Sequence, residues 1–151
     1  MGDPGLSADE RAFLDGARRA VLATIASDGR PRLVPICFVL DPTRPVLYTP
    51  LDEKPKSSDD TMQLARVRDV LADPRVSVLV DRWDEAWTNL AWLRCHGTGT
   101  IIAADTPAVD ERGPAIAALR RKYSQYGTHA LEALPIIRIT IERTTSWGAL
   151  V

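Results

Sequence analysis

The chain has 151 residues and a formal net charge of −1, enough for one domain around one core. Hydrophobic residues make up 45% and charged residues 26%, a globular balance that excludes wholesale disorder. The near-neutral charge excludes a general nucleic-acid footprint, and without a run of about 18 apolar residues no transmembrane helix is expected.

The first residues, MGDPGLSADER, carry no apolar signal region, and Leu6 stands where a myristoylation signal needs Ser or Thr. A cytoplasmic, reducing location is therefore expected, with Cys37 and Cys95 as unpaired structural thiols. Those two cysteines with His96 and His129 make no metal-ligand spacing, so no metal site is expected.

Ser7 and Glu10 fit a capping box, and Phe13, Leu14 and Ala17 recur at helical spacing. A helix over about 7–19 follows, with Arg18 and Arg19 in its last turn. Residues 21–25 read as a strand, and Ser27-Asp28-Gly29 as hairpin chemistry. The returning strand is one long element over 32–40 with Pro35 in its middle. Proline donates nothing to a ladder, so this strand is an edge or bulged there. Residues 46–49 make a third strand, completing an antiparallel meander.

Lys54-Pro55-Lys56-Ser57-Ser58 comes next, before a helix over about 61–72 whose stripe is Leu64, Val67 and Leu71. Residues 76–80, 93–102 and 135–143 read as further strands, and 115–123 as a third helix. Along 93–102 the face of Leu93, Cys95, Gly97, Gly99 and Ile101 opposes that of Arg94, His96, Thr98 and Thr100. The pattern is mainly β with flanking helices, a single domain over 1–151, in which a small barrel hides its edges.

No catalytic triad, nucleophile elbow or phosphate-binding glycine loop is present. Cys95 and His96 are adjacent on a strand and so point to opposite faces. Pro55 keeps its segment extended, so the Lys54 and Lys56 ammonium groups can face one way. With Ser57, Ser58 and the following helix start they suit a phosphate. Asp52, Glu53, Asp59 and Asp60 surround them, so a merely solvated loop is the competing reading. The break at Pro35 frees backbone groups that a flat heterocycle could use, or it marks a plain edge strand.

In this order, LATIASDGRPRLVPICFVLD, VLYTPLDEKPK, LARVRDVLADPRVSVLVDRW and WTNLAWLRCHGTGTII resemble the pyridoxamine 5′-phosphate oxidase-like split-barrel oxidoreductases. The resemblance runs over about 10–148 and points to the branch that uses the deazaflavin coenzyme F420. It implies a six-stranded split β-barrel and a homodimer with cofactor sites at its interface. Lys54, Lys56 and Ser57 match the positions that hold the cofactor phosphate. Val34, Pro35 and Ile36 match the segment whose backbone meets the ring. Thr49 and Pro50 match a pocket wall; Arg66 is carried over from the helix, and Trp147 closes the site from the partner chain. The implied activity is hydride transfer from reduced coenzyme F420 to a small conjugated acceptor. With no arginine in the lysine loop, F420 is favoured over FMN. A cofactor-binding protein without turnover is the reading from another class.

Overall fold

The computed structural model describes residues 5–51, 64–104 and 111–151. Helix α1 (Ala8–Gly16) opens on the expected capping box. Ser7 Oγ accepts from the Glu10 N–H at 3.1 Å, and Glu10 Oε1 accepts from the Ser7 N–H at 2.8 Å. The helix stops at Gly16, so Arg18 and Arg19 lie beyond its last turn rather than within it. The chain must leave there because Ala20 already pairs as the first residue of β1.

Seven strands follow: β1 (Ala20–Ile25), β2 (Pro31–Ile36), β3 (Val39–Leu40), β4 (Val46–Pro50), β5 (Arg75–Arg82), β6 (Ala91–Ile102) and β7 (Ile136–Trp147). Helix α2 (Ala65–Ala72) precedes β5, and α3 (Arg112–Lys122) lies between β6 and β7. All pairings are antiparallel, in the order β2-β1-β5-β6-β7-β4-β3. β2 and β3 stand at opposite ends of that order, yet only Cys37 and Phe38 separate them in the chain. The three steps from Ile36 to Val39 span at most about 11 Å, so the sheet has to curl until its two ends meet. This is the split barrel, here a half-barrel closed at one corner.

The expected sixth of six strands becomes a seventh because the long element over 32–40 is two strands. The interruption is not at Pro35, which keeps its place opposite Val21. It falls at Cys37–Phe38, where the chain crosses from one sheet edge to the other. The Phe38 backbone groups, lost to the ladder, are taken by Tyr123. Its hydroxyl accepts from the Phe38 N–H at 3.1 Å and lies 3.2 Å from the Phe38 C=O and 2.9 Å from the Arg18 C=O. The expected edge character of the Pro35 strand holds: β2 pairs only with β1.

The larger core fills the inside of the curl, where Leu14, Leu22, Phe38, Leu47, Val67, Val78 and Leu93 are buried. A second core lies where α3 covers β4, joining Tyr48, Ile116, Leu119, Tyr126 and Ile136. On α2 the buried stripe is Val67, Asp69 and Val70, while Leu71 is 60% exposed rather than buried. β7 runs four residues past the expected end. It carries one extra residue, Glu142, between the pairs His96–Arg143 and Gly97–Ile141. Ile101, half-buried, packs against the larger core as the alternation expects, and Ile102 belongs to the second core. Both cysteines are free thiols.

Candidate functional site

Curling brings the expected ring-contacting segment and the expected pocket wall to one end of the barrel. Ile36 from β2, Leu47 and Leu51 around the end of β4, and Val67 from α2 share the larger core, with Val34 and Leu64 packed against it. Leu51 and Leu64 bracket residues 52–63. Lys54, Lys56 and Ser57 lie outside the described residues, but the segment bearing them leaves and re-enters the described fold against the same core as Val34.

Thr49 faces inward in the β4 alternation and is 1% exposed. Its hydroxyl has no hydrogen-bond partner among the described residues, which costs about 1–3 kcal/mol when left so. Pro50 is buried opposite Ile136. Along β2 no second strand covers Val34, Pro35 and Ile36 among the described residues, so that backbone edge stays open to a planar donor–acceptor group. Arg66 is half-buried on the first turn of α2. Trp147 is not brought to this end within one chain. It pairs with Trp92 at the far end of β7, about 35 Å along the strand from Ile136, and is 53% exposed.

Sequence reasoning missed the group that fixes α2, and with it Arg66, against the sheet. Asp69 is 6% exposed and accepts from Thr24 Oγ1 and Arg32 Nε, each at 2.7 Å. Thr24 was the available signal, a polar residue at the inward phase of Ala20 and Leu22. Burial pushes the Asp69 carboxyl up, but the hydrogen bonds from Arg32 and Thr24 outweigh it. The pKa therefore lies below the ordinary 3.8. A depressed folded-state value means the stabilisation is complete above pH 3.8 and lost as pH falls through the folded pKa. Asp69→Asn is expected to cost about 1–3 kcal/mol at pH 7, lowering the melting midpoint by about 2–12 °C. The difference from the parent should shrink below pH 3.8, as thermal melts between pH 7 and pH 3 would register.

On the outward face, Ser77 Oγ and His96 Nδ1 lie 2.6 Å apart across β5 and β6. They line a cleft of about 580 Å³ with Thr24, Arg75, Glu142 and Arg143. Burial, then the charges of Arg143 and Arg94, lower the His96 pKa, so the imidazole is neutral at pH 7. Cys95 points inward as expected, and burial raises its thiol to about 12, which makes it inert. No group of three His, Cys, Asp or Glu side chains among the described residues could hold a metal. Among the described residues the candidate site is thus built of shape, a backbone edge and a hydroxyl, with no assembled acid, base or nucleophile. Such a site positions a reactive molecule rather than attacking one.

Solved structures share this fold. A conserved hypothetical protein from Mycobacterium tuberculosis superposes with a TM-score of 0.74 at 19% identity, covering 99% of this chain and 89% of its own. A protein described as an F420 reductase gives 0.64 at 21%, over 89% and 94%. A putative pyridoxamine 5′-phosphate oxidase from Listeria innocua gives 0.60 at 21%, over 89% and 92%. The family model for pyridoxamine 5′-phosphate oxidase matches residues 6–148, and the chain belongs to that family.

Proposed function

We propose that the protein is an oxidoreductase that holds coenzyme F420 at this end of the barrel and passes hydride from its reduced form to a small conjugated acceptor. The observation that carries the reading is the Thr49 hydroxyl, buried and without a hydrogen-bond partner among the described residues, together with the β2 edge that no second described strand covers. A heterocycle with adjacent carbonyl and N–H groups would supply partners to both, so the residues present fit the cofactor. The lysine segment, anchored by Leu51 and Leu64, would grip its phosphate through Lys54, Lys56 and Ser57, with Arg66 behind. The bound coenzyme supplies the hydride. The chain's own work is to fix the ring plane along Val34–Ile36, to keep water from the wall at Thr49 and Pro50, and to leave one ring face open for the acceptor.

A homodimer completes the reading. The outward sheet face carries Leu33, Leu79 and Trp147, each at least 40% exposed, an unusual apolar share for a solvated face. Pairing two such faces would let the partner chain supply Trp147 over the ring. A cytoplasmic location goes with a reduced cofactor and two free thiols.

The test is a titration of the purified protein with oxidised coenzyme F420, followed by its fluorescence, beside a parallel titration with FMN. Saturable F420 binding and oxidation of the reduced form by a quinone or enone are expected. FMN binding alone would replace the cofactor, and the family model named for a flavin oxidase makes FMN the second reading. Tight F420 binding without turnover across acceptors would turn the enzyme into a carrier.

A further inference from the structure

Arg112, the first residue of α3, is a charged side chain only 8% exposed. Every hydrogen bond it makes runs through Nη2 to backbone carbonyls, those of Leu131 and Glu132 at 3.2 Å and that of Leu134. Its Nε is buried without a partner, and it forms no salt bridge among the described residues. A guanidinium taken out of water with no counter-ion is costly. Neutral carbonyls offset only part of that.

The same side chain lines a cavity of about 660 Å³ with Arg120, Arg121 and Glu132, over an apolar floor of Ile116 and Ala117. Glu132 is already held by Arg120 through two contacts, and that pairing pulls its pKa down to about 2. Among the described residues Arg112 and Arg121 have no carboxylate partner, so the described lining carries two positive charges in excess. It also opens at Gly113, in the first turn of α3. That turn has no side-chain cap hydrogen bond, so the Arg112 and Gly113 N–H groups, Pro114 having none, add to the positive field. The N-cap carboxylate of Glu111 is already engaged by Arg44, Tyr48 and Arg138.

We propose that this cavity, whose lining shares no residue with the candidate cofactor site, binds the phosphate group of a small organic phosphate. Two guanidiniums match a dianion in charge, and the planar fork of Arg121, which makes no hydrogen bond among the described residues, matches its oxygens. The floor of Ile116 and Ala117 leaves room beyond the phosphate for a short apolar or aromatic body. Glu132 stands at the rim, where it selects against bulkier anions.

The experiment titrates inorganic phosphate into the full chain carrying Lys54→Ala and Lys56→Ala, so that the lysine segment contributes no phosphate site of its own. Chloride holds the ionic strength constant, and ³¹P line broadening or calorimetry reads the binding. Arg121 is exposed and makes no hydrogen bond among the described residues, so Arg121→Gln tests the site without touching the fold. Saturable binding in the parent, weakened about tenfold by Arg121→Gln, is expected. Arg112→Lys, which keeps the charge and loses the fork, should weaken it further. No saturable binding, or equal affinity in parent and Arg121→Gln, overturns the proposal and leaves Arg112 as a clamp for the carbonyls around Leu131.

Discussion

Replacing Lys54 and Lys56 together by alanine is expected to weaken coenzyme F420 binding by about 10²–10⁴-fold while the melting midpoint of the protein alone stays where it was. Each lysine offers one charge-assisted contact worth about 1.5–3 kcal/mol to a sheltered phosphate, and each 1.4 kcal/mol is tenfold in affinity. The loss should be smaller in high salt, because part of the attraction is already screened there. Fluorescence titration of parent and variant at two salt concentrations separates the contact from the general field. An unchanged dissociation constant would mean that the segment is solvated and that the phosphate is held elsewhere. A dead variant with a lowered midpoint would mean that the lysines serve the fold.

Gly97→Ala is expected to be among the most damaging single-methyl changes at the described glycines, costing about 3–5 kcal/mol and lowering the midpoint by about 6–20 °C. A Cβ at Gly97 would lie 2.0 Å from the Thr140 carbonyl oxygen and 2.9 Å from its carbon. Both are main-chain atoms of β7, so no side chain can swing aside. The close approach exists because Glu142 is the extra residue beside this pair, which draws β7 in over β6. Relief would require opening the ladder between the two longest strands. Gly99→Ala makes the control. Its added methyl would meet Val70 side-chain atoms at 3.0 and 3.4 Å, so the neighbour can give and the cost should be clearly smaller. Equal midpoints for the two variants would show that the bulge is more compliant than its geometry implies.

The fold was legible where local chemistry decides it. A proline inside an apolar run forces an edge, and β2 is an edge. The Ser7–Glu10 pair sets a helix start, and α1 starts there. Where long-range geometry decides, the sequence was silent. The break at Cys37–Phe38 follows from the curl of the whole sheet, and nothing in those two residues announces it. The phase of α2 is set by the Thr24–Asp69–Arg32 hydrogen bonds, which turn Val70 inward and Leu71 out against the apolar periodicity. Of the candidate site, the order of segments pointed to Val34–Ile36 and to Thr49–Pro50, which the curl brings to one end. That Thr49 lacks a partner, or that Arg112 is sunk among carbonyls without a carboxylate, depends on neighbours about 20 residues or more away and had no signature in spacing.

The strand order has a consequence for how the protein is made. β4, which bears Thr49, is joined to the larger part of the sheet only through β7. Residues 46–50 leave the ribosome long before residues 136–140, and at about 5–20 residues per second the delay is roughly 4–17 s. Throughout that interval the nascent β4 has, among the described strands, no pairing partner but the two-residue β3. Its apolar side chains are then open to chaperones or to other nascent chains. On the proposed reading, the coenzyme would not be captured during synthesis, because the wall at Thr49 is paired into the sheet last.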